Sequence, residues 1–273
     1  MLFRALILAV GLVGLACWAG CDGCNDDGFD AGLPDGPAAP GTFSLTWKVQ
    51  DPSVDATCDK LDANATVFVK ASREGTGGIE SFSCKNLQAM SAQRYTPGLY
   101  NFTFELHVLR DGQIITLATG ASKSGVMIPS AGNAELGEIV FPVDAHGKLE
   151  LMLHAGGAGN CASGAGITGF AISLEHDGEP GDTGCALVAF TLSGGGTYNA
   201  NNCTAPAVGR CIQADETLTV ATLPSGPYQI HITGKKNIAD CWSNNDTLRV
   251  PPQGETFRQT LNLAFASENP ACQ

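Results

Sequence analysis

The stretch Thr42-Phe43-Ser44-Leu45-Thr46-Trp47-Lys48-Val49 places apolar side chains at every odd position and polar ones at every even position. Successive side chains of a β-strand point to opposite faces, so this stretch reads as a strand with one buried and one wet face. The same alternation returns downstream. Thr66 to Ser72 is a fuller apolar strand, and Leu99 to Leu109 alternates again. Asp111-Gly112 then separates it from Ile114 to Ala118, and Asp-Gly between two alternating runs is a strong hairpin signal. Glu135 to Val143 closes the set. Past the N-terminal apolar run, no segment carries a sustained 3.6-residue stripe, so the class is all-β.

The layout is then repeated. Lys148 to His154 alternates like Thr42 to Val49, and Thr168 to Leu174 matches Thr66 to Ser72. Thr96-Pro97-Gly98-Leu99-Tyr100 returns as Leu223-Pro224-Ser225-Gly226-Pro227-Tyr228. Ile128-Pro129 before Gly132 returns as Val250-Pro251 before Gly254. Cys84 lies 14 residues before Gly98, and Cys211 lies 15 before Gly226. Several matches in one order indicate a tandem duplication. The reading is two tandem antiparallel β-sandwich domains stapled by disulfides, residues 41–143 and 144–273. The Gly-x-Tyr turn entering an alternating strand, followed by a Pro/Gly turn and a final strand, resembles transthyretin-like or carboxypeptidase-regulatory-like domains. That resemblance implies a sandwich of seven or eight strands used for structure or binding, and no activity.

The N-terminus reads as an address. A positive start, Met1 to Arg4, precedes the apolar run Ala5 to Ala16, which is short for a membrane span. Trp18-Ala19-Gly20-Cys21 follows, with small residues directly before the cysteine. It resembles the lipobox of bacterial prolipoproteins, with Trp18 where the usual pattern has Leu. The resemblance implies a signal peptide over 1–20, removal before Cys21, and acylation of Cys21 (diacylglyceryl and palmitate groups). Ordinary secretion with a cut near Gly20 is the alternative. Residues 21–40 then form an acidic Gly/Pro-rich tether: 22–40 hold five Asp and no Lys or Arg. Such a segment cannot bury a core and serves as a flexible spacer.

The chain of 273 residues carries 15 basic and 27 acidic side chains, for a net charge of −12, which disfavours nucleic acid as a partner. Its 11 cysteines fit an oxidising compartment. Cys58 and Cys84 stand alone in the first unit and are expected to pair. The repeat then assigns Cys161 to Cys211. Cys185, Cys203, Cys241 and Cys272 allow three pairings, of which Cys185–Cys203 with Cys241–Cys272 is the one adopted. Cys24 is left odd, free or joined to another chain. No Cys-x₂-Cys occurs inside the folded units, so zinc has no support.

Catalytic signatures are missing from the sequence. There is no Gly-x-Ser-x-Gly, and the glycine-rich run Ala155 to Gly159 lacks a following Gly-Lys-Ser/Thr. His154 and His231 fall on strands of the second unit and could meet across a sheet, but without a placed carboxylate they read as structural. Glu175, Asp177, Glu179 and Asp182 surround an apparent hairpin tip, where charge is ordinarily solvated. Trp242 follows Cys241 in the polar run Ser243-Asn244-Asn245-Asp246, read as a loop. There it is either a platform for a sugar ring or a cap over the disulfide. The expectation is a lipid-anchored envelope protein of a Gram-negative bacterium, facing the periplasm or cell surface. Its role would be structural or recognition, without catalysis, cofactor or metal. Its partners would be the membrane, through the N-terminal lipid, and an envelope protein or glycan. A carbohydrate- or surface-binding module using end loops of the second domain is the alternative, and a secreted hydrolase the third reading.

Overall fold

The computed structural model describes residues 38–110, 112–156, 159–162, 164–176, 187–201, 210–266 and 268–273. Residues 38–273 form one compact unit with two hydrophobic cores. The first module contains β1 (Thr42–Gln50), a one-turn helix α1 (Cys58–Leu61), β2 (Thr66–Arg73), β3 (Thr76–Ser83) and β4 (Gln88–Met90). It continues through β5 (Gly98–Arg110), β6 (Gln113–Ile128) and β7 (Asn133–Pro142). The second contains β8 (His146–His154), β9 (Gly169–His176), β10 (Leu187–Leu192), β11 (Thr197–Asn201) and β12 (Thr217–Pro224). It ends with β13 (Gly226–Lys236), β14 (Ala239–Val250), β15 (Thr256–Asn262) and β16 (Ala264–Phe265).

Among the described residues, each module is two sheets. In the first they run β4-β1-β7 and β3-β2-β5-β6; in the second, β11-β10-β12-β8-β15 and β16-β14-β13-β9. The alternation in β1 has the expected effect: Phe43, Leu45 and Trp47 are buried, while Thr46 and Lys48 face water. Phe43 packs edge-on to Phe102, and the Trp47 indole N–H donates to the Cys84 carbonyl at 2.8 Å. A buried indole that keeps a hydrogen-bond partner avoids the cost of an orphaned donor.

The sandwiches are not wholly antiparallel. β7 runs parallel to β1, from Thr42 opposite Asn133 to Gln50 opposite Pro142, and β15 runs parallel to β8. The reason lies in the Pro turns. Ile128-Pro129 and Val250-Pro251 carry the chain from one sheet to the other, so the closing strand is not bound to the hairpin geometry that enforces antiparallel pairing. Both turns pass directly over the start of the first strand of their module. A Cβ on Gly41 would run into the Pro129 carbonyl, and one on Gly147 into the Pro251 carbonyl. Glycine is needed at both places for the same close approach.

The repeat extends to individual side chains. The Tyr100 hydroxyl donates to the Thr96 carbonyl at 3.0 Å, and the Tyr228 hydroxyl to the Pro224 carbonyl at 2.9 Å. Each is a bond from the first turn of a core strand back across the tight turn that precedes it. Arg73, at the end of β2, lies 5.9 Å from the Tyr100 ring centroid; His176, at the end of β9, lies 4.5 Å from that of Tyr228. Tyr100→Phe and Tyr228→Phe are each expected to cost about 1 kcal/mol. Denaturant titration of the two variants checks this, and unequal losses well beyond that size would break the equivalence.

Candidate functional site

Three regions gather polar groups. The first is the junction between the modules. Asp51 begins the turn after β1, and its carboxylate accepts from the backbone N–H of Ser53 at 2.7 Å and of Val54 at 3.2 Å. Its second oxygen accepts from the N–H of Ala145, in the segment joining the modules, at 2.7 Å. The side chain is only 2% exposed. Burial pushes the Asp51 carboxyl up, but the hydrogen bonds from Ala145, Ser53 and Val54 outweigh it and hold the group well below the usual carboxylate range.

The joining segment is held from both sides. Val143 N–H donates to Gln50, while the carbonyls of Asp144 and Ala145 accept from Gln253 and Ser225. Gln253 also donates through its side chain to the Leu117 carbonyl at 2.8 Å, and Arg249 to the Asp59 carbonyl at 2.7 Å. Arg110 and Glu255 form an ion pair across the same junction. Asp51, Asp144 and His146 bring their ligand-type atoms within 4.8 Å of one another. Yet Asp51 is already committed to four protein donors counting the Ser53 hydroxyl, and Asp144 accepts from the His146 N–H at 3.1 Å. The cluster is therefore a fastening between modules. The sequence reading missed it, although Asp51-Pro52-Ser53 is a recognisable signal for a side chain that folds back on the following turn.

A second region is a groove of about 570 Å³ on the outer face of β4-β1-β7, lined by Ser44, Thr46, Gln88, Met90 and Glu135 among others. The third is a recess of about 480 Å³ on the outer face of β9-β13-β14. Its outward residues are Ser173, Glu175, Gln229, His231, Asn245 and Thr247, and Ile230 and Asp246 complete the lining. All six belong to the outward set of their strands, because Ile172, Leu174, Ile230 and Ile232 take the alternate, buried positions.

Several expectations are corrected. Ser243 to Asp246 are not a loop: they lie within β14, paired residue by residue with β13. Ser243 and Asn245 face water, whereas Asn244 and Asp246 are half-buried on the opposite face, so the run is polar on both faces without being a turn. Trp242 therefore sits in a strand, half-buried against the second core, with its ring 4.8 Å from that of Phe265. His154 and His231 do not meet across a sheet, because β8 and β13 belong to different sheets. His231 instead hydrogen-bonds through Nδ1 to Asn245. Glu175 is on β9; Asp177, Glu179 and Asp182 lie outside the described residues.

Among the described cysteines the structure joins Cys58 to Cys84, Cys161 to Cys211, and Cys241 to Cys272. The first bridge ties α1 to the 3-10 turn Cys84–Asn86, and the last ties the 3-10 turn Pro270–Cys272 back to β14. Cys185, Cys203, Cys24 and Cys21 lie outside the described residues, so the proposed Cys185–Cys203 bridge and the acylated Cys21 do as well.

No protein-family model matches the chain, and no curated protein does. Among solved structures, the Bacillus anthracis TIE protein is similar at 13% identity with a TM-score of 0.33. The match covers 83% of this chain and 34% of that one, so the chain spans about a third of its length. The major pilin from Streptococcus pyogenes is similar at 8% identity and a TM-score of 0.29, over 82% of this chain and 98% of the pilin. A shaft pilin SpaA variant from Lactobacillus rhamnosus GG is similar at 11% identity and a TM-score of 0.26, over 85% and 100%.

Proposed function

We propose that the chain is a lipid-anchored protein of the bacterial cell envelope, presenting two stapled β-sandwich modules as a structural or recognition element. The observation that carries this reading is the junction. The segment at 143–146 is hydrogen-bonded into both modules, so the two sandwiches form a single body that can be presented whole at the end of a tether. The disulfides favour the same setting, since small cores outside the cytoplasm gain most from covalent closure. The lipid on Cys21 would supply the attachment, and the acidic 21–40 segment the reach.

The test is the intact mass and N-terminal peptide of the protein taken from its own membranes, beside Cys21→Ala. The expected result is a chain beginning at Cys21 with a diacylglyceryl and acyl mass on it. Cys21→Ala should move the protein from the membrane to the soluble fraction. An unmodified terminus would remove the anchor from this reading and leave a secreted protein.

A further inference from the structure

The recess on the outer face of β9-β13-β14 is built on a regular grid. Strand register sets Ser173, His231 and Asn245 side by side in one row, and Glu175, Gln229 and Thr247 in the next. Neighbours within a row are about 4.8 Å apart and the rows about 7 Å apart along the strands, as sheet geometry requires. The six side chains come from three adjacent strands of one sheet, so the backbone ladder fixes the spacing of their Cβ atoms.

The chemistry of the grid is uniform. Glu175 only accepts hydrogen bonds; Gln229 and Asn245 carry both a donor and an acceptor on one amide; Ser173 and Thr247 carry hydroxyls; His231 adds a ring nitrogen. Among the described residues, the side chains of Ser173, Glu175, Gln229 and Thr247 make no hydrogen bond within the protein, while His231 is held in place by Asn245. Fully exposed polar residues are often uncommitted, but these four share one recess and one register. Arg249, next outward on β14, is turned to the carbonyls of Asp59 and Lys60, so no guanidinium serves the patch. Glu175 leaves it negative, on a chain of net charge −12. An anionic ligand is thereby disfavoured. A mostly polar lining of donors and acceptors with a carboxylate fits a neutral, polyhydroxylated ligand, whose adjacent hydroxyls can donate to Glu175 while accepting from Gln229.

We propose that this sheet face is a binding site for a neutral glycan, with Glu175, Gln229 and His231 as its principal contacts. This deepens the recognition half of the function proposed above and places it on the sheet face rather than on the end loops beside Trp242. The experiment is a glycan array probed with the full chain in detergent. The array carries neutral, N-acetylated, uronic and sialylated oligosaccharides, and affinities for the best binders are then measured by calorimetry. Expected is binding of a neutral or N-acetylated glycan, weakened about tenfold or more by Glu175→Gln, as loss of a charged hydrogen bond predicts. Gln88→Ala, on the groove of the first module, should leave the affinity unchanged. Both changes are at exposed strand positions, and thermal unfolding verifies that each variant folds. Three results would each overturn the site: no glycan bound, binding confined to uronic or sialylated glycans, or binding that survives Glu175→Gln combined with His231→Ala. Anchoring is read separately from the mass at Cys21, so failure of one result leaves the other standing.

Discussion

Replacing both Cys161 and Cys211 with alanine is expected to destabilise the second module by about 4 kcal/mol, the largest single loss among the three described bridges. The argument is chain entropy: a crosslink restricts the unfolded chain more as the closed loop lengthens. Cys161 and Cys211 are 50 residues apart, against 26 for Cys58–Cys84 and 31 for Cys241–Cys272. The bridge also lies beside Asn160, which is fully buried and satisfies three backbone groups: it accepts from Ala155 N–H and donates to the carbonyls of Leu153 and Ile212. Loosening the bridge exposes that network to strain. For a module of this size the loss corresponds to a fall of roughly 10–20 °C in its melting temperature. Calorimetry on the double variant, beside a matched Cys58→Ala/Cys84→Ala variant, tests the ordering. A smaller fall in the first variant than in the second would refute the loop-length account.

Asp51→Ala should be the most damaging change at the junction, costing about 3 kcal/mol. It strips the acceptor from three backbone N–H groups at once, two of them half-buried and one of those on the segment leading into the second module. The pH dependence has a definite sign. The folded-state pKa of Asp51 is depressed, so its contribution is complete above the unfolded value of about 3.9 and is lost as pH falls through the folded one. Stability measured by denaturant at pH 7, 5 and 3 should therefore fall towards acid in the native protein. Asp51→Asn, which keeps an acceptor but cannot titrate, should show a flatter profile. Equal slopes in the two proteins would show that other carboxylates carry the acid sensitivity. Small-angle scattering on Asp51→Ala should also report a wider spread of arrangements of the two modules.

Strands were legible wherever one face is apolar and the other polar. β1, β5 and β8 follow their alternation nearly to the residue, and the Tyr100 and Tyr228 turns occupy matching places in the two modules. Legibility failed where the inward positions are themselves polar. β14 places Asn244 and Asp246 on the same face as Trp242 and Leu248, so period two disappears from its sequence and only pairing with β13 reveals the strand. β3 opens on Thr76-Gly77-Gly78 and β6 is interrupted by Gly120 and Gly125, which mask strands of full length. The candidate sites were less legible still. The grid of Ser173, His231 and Asn245 draws on three strands whose order in the sheet no local pattern specifies. The Asp51–Ala145 bond spans 94 positions. The histidines were misjudged for the same reason, since a pattern tells which face a residue occupies but not which sheet.

The parallel pairing of first and last strands also bears on how a tethered protein would respond to pulling. The chain enters the first module at the start of β1 and leaves it at the end of β7, so a force between those points runs along both strands in opposite senses. Parallel alignment then loads the β1–β7 rungs from Thr42 to Gln50 together, in shear, instead of peeling them open one after another. Rupture must then break several rungs at once, those from Thr46 to Gln50 beyond the irregularity at Ser44/Thr46, which makes this module resistant to unfolding under tension.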